Sequence, residues 1–339
     1  MKIKGMNYDI GIQFAFGVPE SCNNRFNPEQ MKTDFAIIKN DLGCNAIRLS
    51  GTNVDEMVTG TELVLQAGLD CWVSPHYIDA PIEVVEKETQ ECAARVEALR
   101  QKYPDNEVVF MYGCEMHHFA PFIPGANFAE RIQKLGDPKI IAEGTRKLNE
   151  YFARTIPEIR RVFHGRITYC TVWFEPIDWT LFDIISLDHY KDMYNNKNNK
   201  YIEDLKPFTQ LGKPFAVTEI GYCCFEGCSQ HGAAGYMQLY PVGNGMLNTV
   251  MNRAEKEQAD ALVDALNDID AAGCDGAFAF TFVYGNMPHV EDDPIRDMDM
   301  AGFSVVKTFA DGRKGKVFPG TSWDPKEAFY ALQDFNKSH

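Results

Sequence analysis

Two periodicities of apolar and polar residues alternate along this chain. Eight runs have strand character: Ile3–Ile10, Asn45–Ser50, Asp70–His76, Glu107–Gly113, Arg166–Trp173, Ile184–Tyr190, the stretch centred on Phe215-Ala216-Val217, and Gly276–Val283. A continuous apolar run such as Phe215–Val217 is what a strand buried on both faces requires. Between most of the runs the spacing turns helical. Pro28–Leu42 repeats Met31, Phe35, Ile38 and Leu42, Asp55–Ala67 stops at Gly68, and Ile82–Tyr103 stops before Pro104. Ile140–Arg161, Ile202–Gln210, Ala254–Ala272 and Pro325–Asn336 continue the series, while Asp178–Phe182 is only a short connector. Strands alternating with helices predict parallel βα units. Eight such units with no Gly/Ser-rich linker predict a closed (β/α)8 TIM barrel, one domain over residues 1–339 with elaborated βα loops, rather than an open doubly wound sheet.

Composition narrows the partners. A chain of 339 residues that is 45% apolar can build one large core. A net charge of −15 disfavours nucleic acid and anionic membrane surfaces, which are recognised by clustered Lys and Arg, and suits a neutral or cationic small molecule. The opening MKIKGMNYDIG enters a strand at once, and no apolar run is long enough to span a bilayer, so the expectation is a soluble, cytoplasmic protein. In that setting the ten cysteines are expected as free thiols, with Cys44, Cys71, Cys170 and Cys274 as small core residues. Cys223, Cys224, Cys228 and His231 form the one zinc-like cluster. Adjacent cysteines are poor ligands for one tetrahedral ion and no second CxxC pair exists, so no metal is expected. Neither G-x-G-x-x-G after an early strand nor a Walker-type phosphate loop occurs, and no cofactor is expected.

In such a barrel the active site lies at the C-terminal ends of the strands. Strand by strand these ends present Asn7 and Asp9; Arg48; His76; Glu115; Trp173 and Glu175; Asp188, His189 and Tyr190; Glu219; and Phe280 and Phe282. Each has a plain structural role open to it, as an ion pair, a satisfied histidine or a packed ring. A buried strand that ends in a carboxylate, as Thr218-Glu219 does, nevertheless needs a partner or a task for that charge. Glutamates on strands four and seven, facing across one mouth, suit cleavage of a glycosidic bond, in which one carboxyl protonates the leaving oxygen and the other attacks or activates water. Arg48 is expected to hold Glu219 ionised, and a poorly solvated site beside Met116 or His117 to keep Glu115 protonated. Trp173 and Tyr190 offer flat faces for sugar rings. Glu175 rivals Glu115, but Pro176 and Asp178-Trp179 mark it as the start of a connector. The expected carbohydrate-binding residues are Asp9, Arg48, His76, Trp173, Asp188, Tyr190 and Phe282.

With AIRLSG around Arg48, YGCEMHH around Glu115, LDHY at Tyr190, VTEIGY around Glu219 and FTFV at Phe282, the chain resembles the clan A glycoside hydrolases over nearly its whole length. The resemblance implies a retaining mechanism with Glu115 as acid/base, Glu219 as nucleophile, Arg48 supporting Glu219 and Tyr190 bonding near it. It departs from the clan's usual pattern in two places: Cys114 stands where Asn precedes the acid/base, and Phe282 lies in the region of a common Trp. GMNYDIG, DLGCNAIRLSG and GAFAFTFV are similar to a narrower group labelled abortive infection proteins. The expected function is a retaining glycoside hydrolase with its two carboxyls about 5–5.5 Å apart. The alternatives are a non-catalytic sugar-like ligand sensor or phage-defence protein on the same barrel, and proton abstraction or lyase chemistry on a sugar acid. Two long loops complete the expectation. Tyr222–Arg253, with Phe225, Tyr236 and Tyr240, is placed to close over a ligand, and the acidic His289–Met300 reads as a solvated rim.

Overall fold

The computed structural model describes residues 1–339. Eight parallel strands close into a barrel: β1 (Ile3–Asp9), β2 (Ala46–Gly51), β3 (Asp70–Pro75), β4 (Val108–Cys114), β5 (Arg166–Thr171), β6 (Ile185–Asp188), β7 (Phe215–Ile220) and β8 (Gly276–Ala279). Their order around the barrel follows the chain, and β8 pairs back onto β1 through Ile3 opposite Gly276 and Met6 opposite Ala279. Outside them lie α1 (Pro28–Asn40), α2 (Val54–Gln66), α3 (Ile82–Lys102), α4 (Pro138–Val162), α5 (Lys200–Thr209), α6 (Glu255–Ala271) and α7 (Glu327–Ser338). Between β5 and β6 the helix is replaced by a single 3-10 turn, Trp179–Leu181. The helix starts follow local chemistry. Asn27, Asn53 and Asp137 each turn a side-chain oxygen onto a first-turn N–H of α1, α2 and α4, and Pro28 and Pro138 fill positions that need no N–H donor.

The hydrophobic interior has two layers. Inside the barrel, Ala46, Trp72, Val109, Met111, Cys114, Cys170, Ile184, Ala216 and Phe278 fill the lumen, as a barrel of this size demands. Gly5 is needed for that filling, because a Cβ there would come within 2.2 Å of the Phe278 ring. The larger layer, between strands and helices, holds Phe35, Phe110, Phe152, Tyr201 and Phe329 among many others. Asp34 of α1 is buried at this second layer and accepts from Tyr8 Oη at 2.7 Å, Trp323 Nε1 at 2.9 Å and Gln30 Nε2 at 2.6 Å, tying α1 to β1 and to the C-terminal segment. All ten cysteines are free, and every one except Cys22 is buried. Cys223, Cys224 and Cys228 do not bring three ligand atoms together. No helix is long and apolar enough to cross a membrane.

Candidate active site

Two breaks in strand register shape the C-terminal mouth. Between Val217 and Ile220, β7 carries one residue more than either neighbour: Leu187 and Asp188 of β6 lie opposite Val217 and Glu219, and Ala277 and Ala279 of β8 lie opposite Val217 and Ile220. The Thr218 carbonyl is thereby free of the ladder. It accepts instead from Asn7 Nδ2 at 2.9 Å and Arg48 Nη1 at 3.3 Å. The second break is in β4, where Met111 and Cys114 lie opposite Thr168 and Cys170 and Gly113 takes a φ of +92°. Bulges of this kind re-aim side chains at a barrel rim, and these two flank the glutamates.

Arg48 sits at the centre, 1% exposed. Its Nη1 donates to Glu219 Oε1 at 2.7 Å and lies 3.5 Å from Asp188 Oδ1, while Nη2 donates to Cys114 Sγ at 3.1 Å. Tyr190 Oη donates to the other oxygen of Glu219 at 2.9 Å. The Cys170 thiol donates to Asp188 Oδ2 at 2.7 Å. Glu219 is thus fixed at both oxygens, and Asp188 balances the guanidinium from behind.

Glu115 is held differently. It adopts a left-handed conformation (φ 42°, ψ 50°), which is uncommon for a residue with a side chain. Three successive N–H groups secure that turn to β5 and its connector: Glu115 N to the Cys170 carbonyl at 2.8 Å, Met116 N to Tyr169 Oη at 2.6 Å, and His117 N to Glu175 Oε1 at 2.8 Å. Tyr169 Oη in turn donates to Glu175 Oε2 at 2.7 Å. Glu175, the rival acid, is therefore a fully buried acceptor beneath the turn, away from the mouth. The expected environment of Glu115 needs one correction. His117 turns inward beside Glu175, and it is His118 whose Nδ1 stands 3.3 Å from Glu115 Oε2.

A cleft of about 120 Å³ opens over these groups, lined by Asp9, Arg48, His76, Cys114, Glu115 and Glu219 with Phe14, Phe119, Phe280 and Tyr284 as apolar walls. One oxygen each of Glu115, Asp188 and Glu219 lies within 4.8 Å of the other two. Three carboxylates so close invite a cation, and Arg48 already supplies one. Burial pushes Glu115 well above the ordinary carboxylate range, helped by repulsion from Asp188 and Glu219. Burial and Asp188 also push Glu219 up, to about 7, against the pull of Arg48 and Tyr190. Arg48 does pull Glu219 toward its ionised form, as expected of a cation beside it, but desolvation and a third carboxylate outweigh that pull.

Among the expected carbohydrate contacts, Asp9, Arg48 and His76 line the cleft, Asp188 backs it, and Tyr190 touches Glu219. Phe282 is corrected. It has no exposed surface and packs between Tyr8 and Trp323, because β8 ends at Ala279 and Phe280 is the ring that faces the cleft. Trp173 does not line the cleft either. It stands 71% exposed on the loop after β5, packed edge-on to Phe174. Sequence reasoning gave Cys114 no role as an acceptor for Arg48 and passed over His118 and Tyr284. Only the isolated Gly113 within a strand pattern hinted at the bulge that orients Cys114 and Glu115.

No family model matches the sequence, and no curated protein sequence matches it. Solved structures do. A GH113 β-1,4-mannanase aligns over 99% of both chains at 14% identity with a TM-score of 0.60. A GH2 β-galacturonidase from Eisenbergiella tayi aligns over 100% of this chain and 51% of its own at 17% identity and a TM-score of 0.60. A β-glucuronidase from Parabacteroides merdae aligns over 99% of this chain and 36% of its own at 14% identity and a TM-score of 0.57. The chain thus spans about half and about a third of the two uronidases. At such identities the likeness is one of fold: a (β/α)8 barrel of the kind that glycoside hydrolases use.

Proposed function

We propose that the chain is a retaining glycoside hydrolase in which Glu219 is the nucleophile and Glu115 the acid/base. The observation that carries this reading is the pair of strand-end glutamates whose oxygens approach within 4.8 Å across one cleft. So close an approach of their oxygens favours a double displacement, for which carboxyls stand about 5–5.5 Å apart, over inversion, for which they stand roughly 6.5–9.5 Å apart. The two environments differ in the sense the reaction needs. Glu219 has Arg48 and Tyr190 to stabilise its anion, and Glu115 has no cation bonded to it. In the first half-reaction Glu219 attacks the anomeric carbon while the Glu115 proton passes to the leaving oxygen. In the second, Glu115 takes a proton from water, which displaces Glu219. Trp173, Tyr194 and Tyr236, on the segments that follow β5, β6 and β7, are exposed flat faces of the kind on which further sugar rings stack. The mannan and uronic acids named for the matched structures are not carried over with the fold. The narrower likeness to abortive infection proteins adds no chemistry to this reading.

The test uses aryl glycosides of graded leaving-group ability with Glu219→Ala and Glu115→Ala. Glu219→Ala should lose turnover on all of them and regain it with azide as a product of inverted configuration. Glu115→Ala should lose about 10²–10⁴-fold on poor leaving groups, keep near-normal glycosylation with activated ones, and give a retained azide product. Absence of turnover in the parent chain across the panel, with a sugar still raising its melting temperature, would replace the hydrolase by a ligand sensor.

A further inference from the structure

The charges lining the cleft are few and lopsided. Asp9, Glu115 and Glu219 contribute carboxylates, with Asp188 close behind, and no lysine reaches the lining. The single guanidinium, Arg48, is buried with Nη1 and Nη2 committed to Glu219, Thr218, Asp188 and Cys114, and its unpartnered Nε is itself buried, so no exposed edge is offered to an anionic ligand. The one other basic side chain is His76. Burial and the neighbouring Arg48 push it down to about 3, so it is a neutral ring, and its Nε2 is buried with no hydrogen-bond partner in the chain.

Asp9 is the carboxylate that the glycosidic chemistry leaves unused. It ends β1 on the same cleft as the glutamates and is 8% exposed. Both of its bonds, from the Gly11 and Ile12 N–H groups at 2.7 and 2.8 Å, go to Oδ1, and Oδ2 has no partner in the chain. Burial pushes this carboxyl up to about 7 despite the two N–H donors, the response of a charge kept in a cleft without a cation beside it. A ligand ammonium would supply that cation and lower the cost. A ligand carboxylate would add a further negative charge with nothing to receive it.

We propose that Asp9 Oδ2 receives a protonated amine, so that the cleft selects an amino-bearing sugar and rejects a uronate. That such a sugar is also cleaved rests on the hydrolase reading; the binding preference does not, and it is tested without turnover. Calorimetry would compare methyl glycosides carrying an amine at C2, C3 or C6 with their hydroxyl and N-acetyl counterparts and with the matching uronate. At one position the amine should bind about tenfold to a hundredfold more tightly than the hydroxyl, the span of one charge-assisted hydrogen bond, and the uronate should bind least. Asp9→Asn should erase the amine preference, so that amine and hydroxyl glycosides bind the variant alike. Equal binding of amine and hydroxyl at every position, tightest binding of the uronate, or an amine preference that survives Asp9→Asn would each overturn the proposal. The wild-type comparison decides it even where the variant fails to fold. Turnover of hydroxyl glycosides with no amine preference would sink this inference and leave the hydrolase standing. An Asp9-dependent amine preference without turnover of any glycoside would do the reverse.

Discussion

Tyr190 and Arg48 decide which of two crowded glutamates gives up its proton first. Both carboxyls are raised by burial and by Asp188, but only Glu219 receives hydrogen bonds from a cation and a phenol. On the proposed reaction the rate rises with pH as Glu219 ionises, near 7, and falls again where Glu115 loses its proton. Tyr190→Phe removes a donor to the anionic form of Glu219 and so raises its pKa. The rising limb of kcat/KM should move to higher pH by about one unit, the equivalent of a hydrogen bond to a charged group, while the falling limb stays in place. A rising limb that does not move in the variant would mean that Glu219 is not the group it reports.

At the scale of elements, Asp34 links burial to stability. Its three hydrogen bonds lower its pKa and burial raises it further, leaving it at about 6 against an ordinary 3.8. A carboxyl raised in the folded state favours folding while both states hold the proton, so this contribution is complete below about pH 4 and is lost as pH climbs through 6. The loss is on the order of 3 kcal/mol for a shift of about two units. Asp34→Asn lacks the titration. The difference between wild-type and variant unfolding free energies should therefore change by that order between pH 4 and 7, and parallel curves would show that Asp34 does not titrate in that window.

The same scale shows what the chain's pattern discloses. The seven long helices and the lone turn between β5 and β6 are legible, because the helical spacing of apolar residues runs along each helix and is missing from the turn. The bulges at Thr218 and beside Gly113 are not, since one additional residue leaves the apolar pattern intact while changing where side chains point. That is why Glu115 and Glu219 are readable as strand-end residues, whereas the Cys114 contact to Arg48 and the inward turn of His117 are not. Phe282 illustrates the same limit. A strand read as running to Val283 ends at Ala279, and the ring that reaches the cleft is two positions earlier.

For the whole molecule, the two-layered interior sorts its sulfur atoms. Cys114 and Cys170 lie in the barrel lumen, and Cys44, Cys71, Cys92, Cys223, Cys228 and Cys274 between sheet and helices. Unfolded without reductant, the chain should titrate ten thiols; a stoichiometric disulfide would contradict the free state of every cysteine seen here. In the folded protein a thiol reagent should take Cys22 at once, Cys114 through the cleft, and the rest only as fast as the structure opens to admit it. The chain thus carries a stopwatch in each layer. Labelling of the outer group times the lifting of helices from the sheet, and labelling of the inner Cys170, which unlike Cys114 does not line the cleft, times the parting of the strands themselves. Read by peptide mass against time, the gap between the two would tell whether this barrel sheds its helices before its strands separate or comes apart in one step, with no residue altered to find out.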